Sequence, residues 1–133
     1  MWFFNDREFD VADRGEAIAF VYLITNKISG RKYIGKKLFY SHKYISVKKK
    51  RKKVKIESDW RDYWSSSEEL KKDIELLGKD SFKREIIHLA LNKGTVSYLE
   101  IKEQILNKVL ENPEKWYNGI INVRIHRKHL KFI

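Results

Sequence analysis

The sequence predicts a small α/β (α+β) fold, and three observations lead there. Residues 20–24 and 32–35 are rich in β-branched and aromatic side chains and flank a polar turn containing Gly30, the pattern of a β-hairpin. Two later stretches, Leu70/Ile74/Leu77 and Tyr98/Ile101/Ile105/Val109, repeat apolar residues at helical spacing. Between them, residues 82–91 carry Phe82, Ile86, Ile87 and Leu89 and read as a further strand. A chain of 133 residues suits one domain with a real core. Its expected core runs over about 17–122, with a basic insert at about 40–58.

The elements follow in order. Residues 1–10 hold Trp2, Phe3, Phe4 and Phe9 among charges and predict an arm or short turn packed on the domain. Arg14, Gly15 and Glu16 interrupt before a strand that starts near Ala17. A turn centred near Ile28 would set Tyr22 and Tyr33 roughly opposite each other. Cross-strand partners lie about 4.5–5.5 Å apart at Cβ, so both phenol oxygens could converge on one small ligand group. Beyond Gly35, the apolar residues Tyr44, Ile45, Val47, Val54 and Ile56 predict a second, highly basic hairpin or an extended loop.

Ser66 or Ser67 caps the first helix, Leu70, Ile74 and Leu77 form its buried face, and Gly78 stops it. Trp60, Tyr63 and Trp64, just upstream, read as packing residues. Asn92-Lys93-Gly94 is a turn. Thr95 or Ser97 opens the second helix, Leu99, Leu106 and Leu110 broaden its face, and Pro113 marks its end. The tail places Val123, Ile125 and Leu130 in a last extended segment or short helix, with a basic end at His126, Arg127, Lys128 and His129.

The net charge of +11 and a pI near 9.7 favour a polyanionic partner, most simply nucleic acid. No long apolar run and no signal-peptide pattern supports a membrane role. Zero cysteines exclude disulfides, thiol catalysis and cysteine-ligated zinc, and suit a reducing cytoplasm. Lys48, Lys49, Lys50, Arg51, Lys52, Lys53 and Lys55 form one cationic block. Such a block is either a solvated segment or a set of phosphate contacts. Phosphate contacts release counterions, so binding through them weakens steeply with salt.

The hairpin supplies more than a strand pattern. Tyr33-Ile34-Gly35 is literally Tyr-Ile-Gly, and Phe20-Val21-Tyr22 keeps the tyrosine of Gly-Ile-Tyr with phenylalanine at the glycine position. This pair resembles the signature of the GIY-YIG nuclease family. The later run Tyr63-Trp64-Ser65-Ser66-Ser67, then Leu70, Gly78 and Phe82, resembles small phage-type and homing members, which carries the likeness from about Ala19 to about Asn122.

The resemblance implies a three-stranded antiparallel sheet flanked by helices. It implies a Mg²⁺-dependent (or Mn²⁺-dependent) endonuclease hydrolysing phosphodiester bonds of DNA, expected to be double-stranded, by nicking or by cutting both strands. A bacterial host cytoplasm is the expected setting, and monomer and homodimer stay open. In the same likeness Tyr22 would accept a proton from the attacking water and Tyr33 would orient water or phosphate. Adjacent cations, Lys36 among them, would have to lower the Tyr22 pKa, since an ordinary tyrosine titrates near about 10.

Glu100 matches the family's metal-binding glutamate at the start of the second helix. Glu103 is the alternative, and a Ser97-x-x-Glu100 capping box would explain a glutamate there without any metal. Asn118 matches the family's Tyr-Asn pair, with Asn122 in reserve. The family's arginine-bearing helix after the second motif has no clear counterpart. Arg61 is therefore the first candidate for the phosphate-clamping cation, with His42 and Lys36 as alternatives. That departure, together with Phe20, also supports a reading from another class, a non-catalytic basic nucleic-acid-binding module retaining the fold.

Overall fold

A computed structural model of the chain describes residues 1–121, 124 and 126–133. Asn122, Val123 and Ile125, three residues named above, lie outside the described residues. The strands are β1 (Trp2–Phe4), β2 (Arg7–Glu8), β3 (Ala19–Asn26), β4 (Lys32–Leu38), β5 (Tyr40–Val47), β6 (Lys50–Glu57) and β7 (Phe82–Ala90). Helix α1 (Glu68–Leu77) precedes β7, and α2 (Lys93–Leu106) follows it. Among the described residues no helix is long and apolar enough to cross a membrane.

The main sheet has five strands in the order β2-β1-β7-β3-β4, which corrects the expected three-stranded sheet. The additional strands come from the N-terminal arm. β1 runs parallel to β7, whereas β3 pairs antiparallel with both β7 and β4. Asn5 and Asp6 turn the chain at φ of 51° and 64°, as a two-residue hairpin turn requires. A strand of three residues is too short to show alternation in sequence. Its anchor is Trp2, buried edge-on against Phe20 with ring centroids 5.1 Å apart. The Trp2 indole N–H donates to the Trp60 carbonyl at 2.8 Å.

The sheet buries two chemically different faces. Phe20, Tyr22 and Ile24 of β3 and Phe82 and Ile86 of β7 join Trp2, Phe39, Trp60 and Tyr117 in an aromatic layer, covered by Leu70 and Ile74 of α1. Ala19, Val21, Ile34 and Ala90 form the other face, an aliphatic layer covered by Val96 of α2 and by Val109. Buried on both faces, β3 reads as a continuous apolar run, the mark of a central strand. Phe20, at the family's glycine position, belongs to the aromatic layer and is fully buried.

Helix α1 follows its end signals and buries Leu70 and Ile74, but Leu77, expected on the same face, is exposed in its last turn. The Ser67 hydroxyl accepts from the Leu70 N–H, and Gly78 stops the helix at φ 87°. Helix α2 departs from them at both ends. Asn92 caps it, its side-chain oxygen accepting from the Thr95 N–H at 2.8 Å, so the helix starts at Lys93 rather than Thr95 or Ser97. It ends at Leu106, well before Pro113. Ile105 and Leu106 are exposed, and the inward position is instead the polar Gln104, whose amide donates to the Ile34 carbonyl. An apolar-spacing reading passes over an inward glutamine, so the buried face was drawn out of phase.

Between β4 and α1 the chain makes a separate two-stranded sheet, β5 paired antiparallel with β6, the hairpin rather than the extended loop. Lys48 and Lys49 form its turn at φ of 49° and 65°.

Candidate active site at the edge of the sheet

The register of the hairpin places Tyr22 opposite Gly35 and Tyr33 opposite Ile24. The two tyrosines are therefore diagonal neighbours on one face, not directly opposed, with ring centroids 6.1 Å apart. The turn sets this offset. The Asn26 side-chain oxygen accepts from the Ile28 and Ser29 N–H groups at 3.0 and 3.2 Å, and the Gly30 N–H donates to the Asn26 carbonyl. Gly35 has its own reason to be glycine. A Cβ there would lie 2.4 Å from the Tyr22 hydroxyl oxygen, so the Tyr22 ring lies across the bare backbone of β4.

β4 is the outer strand, and an edge strand leaves a row of N–H and C=O groups unpaired by the sheet. Side chains and loops fill that row. The Lys32 N–H donates to the Lys115 carbonyl and the Lys32 carbonyl accepts from Tyr117. Asn118 then mimics a strand: its oxygen accepts from the Ile34 N–H at 3.0 Å, and its NH₂ donates to the Ile34 carbonyl at 2.7 Å. The Lys36 N–H faces the Glu100 carboxyl and favours its charged form. Asn118 thus supports the strand that carries Tyr33 and Gly35. Asn118→Ala leaves the buried Ile34 N–H without its partner, and we expect a loss of about 1–3 kcal/mol of stability. Urea unfolding of the two proteins measures it.

The edge is electrostatically unusual. Burial pushes the Tyr22 phenol well above its ordinary range, and the neighbouring Tyr33, Tyr63 and Glu100 push it the same way. The Tyr33 phenol is also raised, chiefly by burial, although its hydroxyl contact with Ser66 at 3.4 Å opposes the shift. The Glu100 carboxyl is raised by burial, opposed by the Lys36 ammonium and backbone N–H. Glu100 therefore sits within electrostatic reach of both tyrosines. The chain by itself does not lower Tyr22. Lys36, expected to help, pairs across from Val21 on the other face and donates to the Ser97 hydroxyl at 2.6 Å.

Glu100 and Glu103 are set apart by their partners. The Glu103 carboxylate meets the His88 ring nitrogen at 2.8 Å and the Asn107 amide, away from the tyrosines. The capping-box explanation of Glu100 does not hold, because Asn92 is the cap and Ser97 is an interior residue bonded to Lys36. Among the described residues no three His, Cys, Asp or Glu side chains gather as a metal cage, and no salt bridge occupies Glu100. A single desolvated carboxylate beside two hydroxyls fits a cation that keeps most of its shell as water and substrate phosphate. Mg²⁺ binds in that manner.

The remaining candidates lie elsewhere. The Arg61 guanidinium bonds the Glu57 carboxylate at 2.9 Å and lies over the Trp60 ring. His42 is exposed on β5, across from Lys55, and desolvation followed by the charges of nearby lysines lowers its pKa. Lys48, Lys49, Lys50, Arg51, Lys52, Lys53 and Lys55 are all exposed on the β5–β6 hairpin.

Three further groups, given no part in the site from sequence, join the edge. The Tyr63 ring packs edge-on against Tyr22 at 6.0 Å, Lys37 sets its ammonium 4.1 Å over Tyr63, and Ser66 touches Tyr33. Tyr63 and Ser66 lie in the segment whose family likeness was already visible, which was the available signal. Lys37 lies four residues beyond Tyr33 on β4, so strand alternation puts it, and not Lys36, on the tyrosine face.

A family model described as "Putative endonuclease segE, GIY-YIG domain" matches residues 2–121 of this chain. No curated protein and no solved structure matches.

Proposed function

The chain belongs to the GIY-YIG nuclease family, whose members act on nucleic acid, and from that premise we propose that it is a Mg²⁺-dependent DNA endonuclease. The observation that carries the reading is the meeting of Tyr22, Tyr33 and Glu100 at the outer edge of β4, over a glycine that only the Tyr22 ring explains.

Each residue has a distinct task in this reading. Glu100, which faces the Lys36 N–H, would hold the cation. A bound Mg²⁺ would supply positive charge against the charge developing on the phosphate and leaving 3′ oxygens, and would favour the ionised form of a phenol beside it. The Tyr22 and Tyr33 hydroxyl oxygens would accept hydrogen bonds from the attacking water and orient it. In the free chain Tyr22 is a neutral phenol, since burial disfavours the phenolate, and a neutral phenol is a poor base. Proton acceptance by Tyr22 therefore belongs to the loaded site rather than to the resting protein. Lys37 and Lys36 flank the edge on opposite faces and would attract the phosphate backbone.

Supercoiled plasmid incubated with purified protein tests the proposal. Relaxed or linear DNA should appear with Mg²⁺ or Mn²⁺ and vanish with a chelator, and the product form separates nicking from double-strand cutting. DNA that is retarded in a gel but stays intact under every divalent metal would leave the non-catalytic binding module as the better account.

A further inference from the structure

The β5–β6 hairpin stands outside the main sheet and is built against several stabilising rules. It is hydrogen-bonded to no strand of the main sheet. Apart from Tyr40 and Val54 its side chains are exposed. Its turn places two lysines in a left-handed conformation that side-chain-bearing residues disfavour. Like charges stand close along β6, an arrangement that destabilises a ribbon unless an anion offsets it.

The register sorts its side chains into two unlike faces. Tyr40, His42, Tyr44 and Ser46 share one face with Arg51, Lys53, Lys55 and Glu57. Ile45, Val47, Val54 and Ile56 lie on the other, with Ser41, Lys43, Lys50 and Lys52 between them. On the first face the long cations are pre-set by aromatic partners. The Arg51 guanidinium lies 4.3 Å over the Tyr44 ring and the Lys55 ammonium 4.1 Å over Tyr40. The acid of that face, Glu57, is taken at the root of the hairpin by Arg61 and the Trp60 indole N–H. Its cations therefore point outward with no carboxylate of their own face left to meet them.

From this we infer that β5–β6 is a sequence-reading ribbon that enters the DNA major groove with its His42, Tyr44, Ser46, Arg51, Lys53 and Lys55 face against the base edges. The dimensions agree. Eight residues per strand at about 3.3 Å each give roughly 26 Å of ribbon, and paired strands sit about 4.8 Å apart. A major groove about 12 Å wide admits such a two-stranded ribbon. The face offers the right chemistry, because an arginine donates bidentately to guanine while serine and histidine both donate and accept. Phosphate contacts alone would carry no sequence code.

The root of the ribbon also lies beside α2, the helix that carries Glu100. Lys93, at the start of α2, acts electrostatically on His42. Tyr40 and Ser41 share a cavity of about 430 Å³ with Lys36, Lys93 and Ser97, one turn before Glu100 on the same helix. One duplex could reach both. This inference rests on the nucleic-acid substrate of the proposed function and adds where and how the sequence is chosen.

Selection from a random duplex pool, read by sequencing and done in chelator so that no metal-dependent cutting intervenes, tests it. The wild-type chain should enrich a short motif. Arg51→Ala and Lys53→Ala should each flatten that motif at one or two positions by about tenfold or more. A Lys50→Gln/Lys52→Gln double variant, on the opposite face, should bind all sequences more weakly and keep the motif. Absence of any motif for the wild type, or an unchanged motif in Arg51→Ala and Lys53→Ala, overturns the inference. A chain that selects sequence but never cuts plasmid sinks the nuclease reading alone, whereas one that cuts without selecting sinks the ribbon alone.

Discussion

Gly35→Ala should lower DNA cleavage by about 100-fold or more, a scale at which about 2.7 kcal/mol of transition-state stabilisation is lost. The added methyl would lie 2.4 Å from the Tyr22 hydroxyl oxygen and 2.5 Å from the ring carbon that bears it. Neither group can yield easily. Gly35 is held in the β3–β4 ladder, and Tyr22 is packed among Trp2, Phe20, Tyr33 and Tyr63. The ring must tilt away from the edge, taking its hydroxyl off the line to Glu100. Overpacking of this kind also costs about 1–3 kcal/mol of stability. Cleavage rate and unfolding midpoint measured together separate the two effects, because that destabilisation alone leaves most molecules folded. A Gly35→Ala protein that cuts at the wild-type rate would show that the Tyr22 position is unimportant.

Glu100→Gln should abolish cleavage, again by about 100-fold or more, and yet stabilise the metal-free protein at neutral pH. The sign follows from the shift. Burial raises the Glu100 carboxyl above its unfolded value. Folding then favours its protonated form, so stability is greatest below the unfolded pKa and is lost as pH rises through the folded pKa. A neutral glutamine keeps a carbonyl oxygen beside the Lys36 N–H and removes the buried charge. Thermal unfolding in chelator should therefore place the variant above the wild type at pH 7.5, with the gap closing towards pH 4. A site that is less stable for carrying its working group is expected where function rather than folding selects the residue.

The parts of this site that were legible in the sequence are those carried by short-range pattern. Tyr22, Tyr33 and Gly35 stand in a hairpin whose alternation and turn residues are local, and Ser67 and Gly78 mark both ends of α1 within one helix. What stayed hidden depends on partners far along the chain. Packing of the arm that holds Trp2 was legible, but not its strand, whose partners are the two-residue β2 and the distant β7. Gln104 looks like a surface amide until β4 proves to be an edge that needs it, and Asn118, marked by the family likeness, shows its bond to the Ile34 backbone only in the fold. The diagonal offset of the tyrosines hangs on the side chain of Asn26 in the turn, a detail that spacing alone does not fix. Lys37 shares the face of Tyr33 by strand alternation, a relation that follows only once β4 is seen to run past Gly35 to Leu38.

Single-turnover cleavage of supercoiled plasmid with Mg²⁺, by the wild type and by Glu100→Gln at matched protein concentration, tests the central claim most directly. The account expects metal-dependent cutting by the wild type and intact plasmid, still retarded in a gel, with the variant. Cutting by Glu100→Gln at the wild-type rate would contradict it and move the chemistry away from the edge of β4.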